Sequence, residues 1–318
     1  MITIDELLQR KRHGDFGAVE WLYVWGMSTR WFALLWTFLS GLFGVLLAGT
    51  FVEIDWYYAF CAIGVTQSLL LASHFMNNFR DYERGVDDAK DPSEVKDYTG
   101  ASALVPLGIT SVRFQKVNTI VFALLSAVFL WPLLSLPWLP QILFIYFWGV
   151  FIAFAYTDLF KPNGMGELGI FLGQCLAVSV ATFISQTPLT TGNWWQIIFA
   201  MVPISFAGAF FYSIDQYQDA ESDMTKRVRN WAILLWRSRL PLGLYILMGY
   251  TFVLFVQHVA ITVGILPIIS LVMTAPTWII VLGIAAYVHV DIEKALKLAV
   301  FAFIYLYPAL MCLSLVIT

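Results

Sequence analysis

Three aspartates, Asp215, Asp219 and Asp223, recur at four-residue spacing in the stretch "SIDQYQDAESD", Ser213 to Asp223. On a helix they form one stripe of carboxylates. Earlier in the chain, "FMNNFRDYERGVDD", Phe75 to Asp88, places Asn77 and Asp81 at the same spacing, with His74 close to the same face. Gly85 permits a turn there, after which Asp87 or Asp88 could fold back toward Asp81. Like charges at i,i+4 destabilise a helix by a few tenths of a kcal/mol per pair, so such stripes favour a bound cation that offsets the repulsion. Donors that are all oxygen suit Mg²⁺ rather than Zn²⁺. Either cluster alone also fits a solvated helix end. Two facing sets, however, could hold Mg²⁺ against a diphosphate and neutralise the charge that develops as it leaves.

The elements that carry these residues are apolar. The chain has 318 residues, of which 60% are hydrophobic and 12% charged, and its mean hydropathy is +0.76. A soluble domain is about 25% charged. Each membrane span needs roughly 20 apolar residues. Nine segments qualify: Ser28–Gly49, Trp56–Phe79, Phe114–Leu134, Trp138–Thr157, Leu168–Gln186, Asn193–Ile214, Leu240–Ile261, Leu266–Val288 and Ala295–Ile317. The seventh and eighth are the hardest to divide, because residues 259–269 are apolar throughout. Pro203, Pro267 and Pro276 fall in or near spans, where they can kink them. The runs lack the alternation of a transmembrane barrel. The expected fold is therefore all-α and integral to the membrane, with nine transmembrane helices in one bundle and one domain over residues 1–318. No apolar leader is expected in residues 1–20, and Cys61, Cys175 and Cys312 are read as packing residues.

Charge orients this bundle. With the N-terminus in the cytoplasm, all 18 Lys and Arg fall on the inner side, and the loops near residues 50–55, 135–137, 187–192 and 264–266 carry none. Both acidic clusters then lie at the cytoplasmic end, in the two longest connections, residues 80–113 and 215–239. As residues at the water interface, they should matter more for activity than for stability. A transporter would carry ionisable groups at mid-span; here only His74 and His258 do so. The bilayer could hold the tail of a prenyl diphosphate, and aromatic faces, 17% of the residues, could stabilise an allylic cation. No nucleic-acid partner is expected. Arg80, Lys96, Lys226, Arg227 and Arg229 either hold the diphosphate or serve the positive-inside rule. His74 either supports the site residues or binds an acceptor, or, as a lone histidine in an apolar helix more often is, it is a satisfied packing residue. Glu167 either orients an acceptor or sits at a helix N-terminus, where a carboxylate is favoured.

With these residues in view, the chain resembles the UbiA superfamily of intramembrane prenyltransferases. Asn77, Asn78 and Asp81 match its N-D-x-x-D motif after the second helix, and Asp219 and Asp223 match the D-x-x-x-D motif after the sixth. Asn77, Asp81, Gly85 and Asp87 are similar to the variant in the branch that prenylates dihydroxynaphthoate in menaquinone synthesis, as is "YTDLFKPNGMGELGIFLG", Tyr156 to Gly173. The resemblance implies a Mg²⁺-dependent transfer of a polyprenyl group from a polyprenyl diphosphate to an aromatic quinone precursor. A terpene cyclase of the same superfamily, or a transferase to a lipid or sugar-phosphate acceptor, would use the same motifs. It further implies that Asn77, Asp81, Asp219 and Asp223 hold the metal, with Asp87 and Asp215 as secondary ligands. Lys161 would contact the diphosphate, with Arg80, Arg229, Tyr156 and Lys226 also at the substrate, and Asp81, Asp219 and Lys161 central to the reaction. The chain departs from the family at Asn78, which stands where Asp is usual. It departs again in "SALVPLGIT", Ser102 to Thr110, which lacks the usual Arg, and in "MTKRVRNWAILL", Met224 to Leu235.

Overall fold

The computed structural model describes residues 4–85, 103–217, 220, 224, 229–288 and 290–317. Among these residues every regular element is helical. Two short helices open the chain, α1 (Ile4–His13) and α2 (Ala18–Thr29), followed by α3 (Trp31–Gly49), α4 (Trp56–Glu83), α5 (Val112–Leu133) and α6 (Leu139–Ala155). A wide π turn at Tyr156–Phe160 and a 3-10 turn at Lys161–Asn163 lead into α7 (Gly166–Gly169). A second π stretch, Ile170–Ala177, continues into α8 (Val178–Ile184). Then come α9 (Trp194–Tyr217), α10 (Trp231–Ser238), α11 (Leu242–Thr262), α12 (Ile269–Tyr287), α13 (Ile292–Ala299), a third π stretch at Val300–Leu306, and α14 (Tyr307–Ile317).

Eight of these helical stretches are long and apolar enough to cross a membrane, and α2 with α3 forms a further pair bent by 56°. The outward faces agree with a lipid surround: Trp131 is 76% exposed, and Phe144 and Ile279 are likewise open. Apolar faces of this extent are stable only against hydrocarbon. The chain is thus built as a multi-pass membrane protein. The third helix packs on both α4 and α8, α4 packs on α5, and α9 packs on α11 and on the Ile170–Ala177 stretch. Contacts of α11 with α12, α12 with α14 and α14 with α3 close the ring. One polar cluster inside it is mutually hydrogen-bonded: Gln257 bonds Ser270, Thr274 and Tyr307, joining α11, α12 and α14. Such bonds hold membrane helices together where the hydrophobic effect does not.

Four features differ from the sequence expectation. The first span, drawn as Ser28–Gly49, is broken at Arg30, which takes a left-handed φ of 50°. The break frees the carbonyls of Ser28 and Thr29, and α4 captures both, with Asn78 Nδ2 donating to Ser28 O at 3.1 Å and His74 Nδ1 lying 2.6 Å from Thr29 O. A carbonyl only accepts, so His74 carries its proton on Nδ1; it is a structural tie, as the packing reading had it. Second, α4 runs on to Glu83 and α9 to Tyr217, which puts Asp81 and Asp215 on helices. Third, the 215–239 connection contains a helix of its own, α10. Fourth, α1 and α2 fold back on the chain near residues 103–109, with Ile4, Leu7, Val24, Leu104 and Ile109 in one small core. Gly85 does turn the chain out of α4, at φ 67°. Cys61 and Cys312 are buried free thiols, in keeping with packing roles.

Candidate active site

One face of α4 changes from apolar to polar along its length. Leu69, Ser73, Asn77 and Asp81 follow one another at four-residue spacing, and so do Gly149, Ala153, Thr157 and Lys161 at the end of α6. The structure sets the two rows rung against rung. Leu69 Cδ1 lies 3.3 Å from where a Cβ on residue 149 would sit, so Gly149 gives the Leu69 side chain a few tenths of an ångström of room at this helix contact. Ser73 Oγ donates to Ala153 O at 3.0 Å. Thr157 Oγ1 donates to Asn77 Oδ1 at 3.1 Å, and Lys161 Nζ donates to Asp81 Oδ2 at 2.5 Å. A row at this spacing drifts about 40° per step around an ideal α-helix, since 3.6 residues make a turn. The wider turn at Tyr156–Phe160 takes back part of that drift, so that Lys161 still faces α4. Single wide turns of this kind recur at functional sites.

The polar rungs are buried. Asn77 and Asp81 are each 3% exposed, and Thr157 is fully buried. This corrects the expectation that the first cluster lies in water: α4 stays helical through Asp81, and α6 covers that face. Asn78, on the adjacent face, is 1% exposed and donates through Nδ2 to Ser28 O and to Gln115 Oε1. An ionised aspartate there could donate to neither.

The Tyr156–Glu167 segment is the hub of this end of the bundle. Toward α4, Asp158 pairs with Arg84 at 2.6 Å and with Arg80 at 3.6 Å, and Arg84 also donates to Thr157 O at 2.5 Å. Arg80, expected at the diphosphate, thus turns toward Asp158 and Glu83, with its side chain 42% exposed. Toward α9, Tyr156 donates to Tyr212 Oη at 2.7 Å, three residues before Asp215. That bond ties the α9 acidic end to the α4 donors' partner segment, and Asp215 there is half-buried. Toward α10, Gly164 at φ 73° leaves room for Arg229, whose Cβ would lie 3.2 Å from a Cβ on residue 164. Glu167 is fully buried at the N-terminus of α7, and its Oε1 accepts the Trp231 N–H that opens α10, at 3.0 Å. That bond caps α10 and not the helix that Glu167 itself begins, and the second carboxylate oxygen, Oε2, is buried with no hydrogen-bond partner among the described residues. Asp87, Asp219, Asp223 and Lys226 lie outside the described residues, as do Asp88, Lys96 and Arg227.

Sequence reasoning singled out Lys161 and passed over Thr157, Asp158, Arg84 and Tyr212. The signal for Thr157 was present, since its spacing from Lys161 repeats that of Asn77 from Asp81. The donor set fits a hard cation: Asn77 Oδ1 and the Asp81 carboxylate are oxygens one helical turn apart, both shielded from water. Among the described residues no three His, Cys, Asp or Glu side chains form a metal-binding group by themselves. One carboxylate here suits Mg²⁺, which usually takes one or two carboxylates together with phosphate oxygens. Next to the polar rungs an apolar cleft runs between α4, α5, α6 and the Ile170–Ala177 stretch. Leu69, Ser73, Leu130, Ile145, Gly149 and Tyr156 are among its lining residues. From Ala62 to Ser73 along α4 it spans about 16 Å, at about 1.5 Å per residue.

No protein-family model and no curated protein matches the sequence. Solved structures do match. A UbiA homolog from Aeropyrum pernix K1 superposes with a TM-score of 0.63 at 15% identity, over 89% of this chain and 97% of that one. A UbiA homolog from Archaeoglobus fulgidus bound to GPP and Mg²⁺ gives 0.59 at 14% identity, over 92% and 99%. A digeranylgeranylglyceryl phosphate synthase gives 0.56 at 15% identity, over 93% and 97%. Across nearly its whole length, this chain has the fold of the UbiA homologs.

Proposed function

We propose that this protein is an intramembrane prenyltransferase, one domain over residues 1–318, that moves a polyprenyl group from a polyprenyl diphosphate to an aromatic quinone precursor. The observation that carries this is the Leu69–Ser73–Asn77–Asp81 row, which leads from an apolar cleft to a pair of buried oxygen donors with a lysine beside them. The fold neighbours bound to DMAPP or GPP with Mg²⁺ support the same chemistry. In this reading Asn77, Asp81, Asp219 and Asp223 hold Mg²⁺, with Asp87 and Asp215 secondary. When bound, the metal would neutralise charge on the departing diphosphate.

This chain's own residues do the rest. The cleft takes the prenyl chain and keeps water from the allylic carbon, where a cation would otherwise be quenched. Thr157 orients Asn77. Lys161, with Arg229 and Lys226, takes the diphosphate as the allylic C–O bond breaks, and Tyr156 stands at the junction of cleft and donors. The positive-inside distribution supports nine spans, counting α2 and α3 as the first, with the N-terminus and the site on the cytoplasmic side.

The test is to incubate purified protein with geranylgeranyl diphosphate, Mg²⁺ and a panel of acceptors, dihydroxynaphthoate included, and to read the products by mass spectrometry. Prenylated aromatic product supports the proposal. A cyclised hydrocarbon in the no-acceptor control would replace it with a terpene cyclase. Transfer to a glyceryl phosphate instead would favour the lipid-acceptor reading, for which the synthase among the fold neighbours is the specific support.

A further inference from the structure

We infer that Lys161 stands in for the metal in the ligand-free site and is handed from Asp81 to the diphosphate when metal and substrate enter together, while Thr157 stays on Asn77 as a positioning residue. This rests on the prenyltransferase reading and adds an order of binding to it.

The geometry is specific. The Asp81 side chain is 4% exposed, and the Lys161 ammonium sits 2.5 Å from its Oδ2. A buried carboxylate needs a counter-charge, and here a side chain supplies it before any cation arrives. A divalent ion at the Asp81 oxygens would meet that ammonium as a like charge at close range. The metal therefore binds well only when something draws Lys161 away. A diphosphate is the ligand in this chemistry with the charge to do so. Lys161 can move without the backbone, because its head is a point charge on a flexible four-carbon stem. Its side chain is 20% exposed, against 4% for Asp81, so the open side of the pair is the lysine's. Thr157 has no charge to hand over. Its hydroxyl donates to Asn77 Oδ1 and leaves that oxygen's other lone pair for a cation. Thr157 and Lys161 thus hold the two α4 donors in register by different means, one permanent and one exchangeable.

The experiment uses full-length protein in detergent, with Mn²⁺ as the probe read by the EPR signal of the free ion, and inorganic diphosphate as the second ligand. Wild type should bind Mn²⁺ weakly alone and at least tenfold more tightly with diphosphate. Lys161→Gln should bind Mn²⁺ alone about tenfold more tightly than wild type, a gain of about 1.4 kcal/mol, and lose most of the gain from diphosphate. Thr157→Val should weaken Mn²⁺ binding under both conditions, with Thr157→Ser restoring it, which a merely space-filling role would not produce. If Lys161→Gln fails to fold, Asp81→Asn supplies the converse: it removes the carboxylate charge that competes with diphosphate for the Lys161 ammonium, so metal-free diphosphate binding should tighten. Equal or weaker Mn²⁺ binding by Lys161→Gln, or unchanged metal-free diphosphate binding by Asp81→Asn, overturns the handover. Mn²⁺ binding that survives Asp81→Asn unchanged overturns the metal-site reading itself, and with it the handover.

Discussion

Asn78→Asp introduces the residue carried by the motif that this stretch resembles, and the structure says that it should harm the protein. Asn78 is 1% exposed and uses its amide nitrogen twice, donating to Ser28 O at 3.1 Å and Gln115 Oε1 at 3.3 Å. A carboxylate of the same shape donates nothing and places its charge against two acceptors. Gln115 can turn its own amide and offer nitrogen instead, giving up only its bond to Thr110 Oγ1. Ser28 O has no such remedy, because it is freed by the break before Arg30. A buried acceptor left alone costs about 1–3 kcal/mol, and an unpaired buried charge about 3–5 kcal/mol. With Gln115 adjusting, the net loss should be about 3 kcal/mol at pH 8. Asn78→Ala, which loses both bonds without adding charge, should cost about 1–2 kcal/mol. At pH 5 the gap between the two variants should narrow, since a protonated carboxyl donates one hydrogen bond. Thermal unfolding of the detergent-solubilised variants, followed by tryptophan fluorescence at both pH values, measures the ranking. Wild-type stability in Asn78→Asp, together with tighter Mg²⁺ binding, would refute the reasoning, because it would mean that this side chain faces the metal donors and not the α2–α3 break.

Further outcomes follow from the same geometry. Asp81→Ala and Asp219→Ala should each lower prenyl transfer by about a hundredfold or more, as removal of charge-stabilising groups does. Asp81→Ala should in addition lower stability, because it removes the ion pair that the buried Asp81 side chain makes with Lys161, so activity and melting temperature are measured side by side. Glu167→Ala should cost about 1–3 kcal/mol by leaving the Trp231 N–H without its acceptor, whereas Glu167→Gln keeps an oxygen for that bond and should cost less; melting temperatures of the pair decide. Gly164→Ala should cost about 1–2 kcal/mol from its left-handed backbone alone and should displace Arg229. The check is a lower melting temperature, with a raised KM for the prenyl diphosphate. EDTA should abolish turnover and added Mg²⁺ should restore it, which an activity assay before and after dialysis tests.

The class of protein and the helical spacing of its candidate donors could be read in one dimension. Hydropathy alone marks the spans, because each must satisfy its backbone internally while facing lipid. Four-residue spacing alone marks Asn77 with Asp81, and Asp215 with its successors, because a helix repeats every 3.6 residues whatever surrounds it. The pattern of α1 was legible too, in Ile4, Leu7 and Leu8, but it was overlooked beside the longer apolar runs. The break at Arg30 was not legible, since Ser28, Thr29 and Arg30 read as the polar start of the long apolar run that begins at Trp31. It exists because His74 and Asn78, far along the chain, supply what the freed carbonyls require. The burial of Asp81 was equally hidden. Charged residues at the end of an apolar run read as solvated until another helix is known to cover them. That cover is α6 with the turns that follow it, 80 positions further on, in parallel register, with Lys161 opposite Asp81. A local pattern records what a residue can do on its own helix. Whether Asp81 meets water or an ammonium, and whether Asn78 is a ligand or a tie, depends on which helices pack against it, and only the tertiary structure decides that.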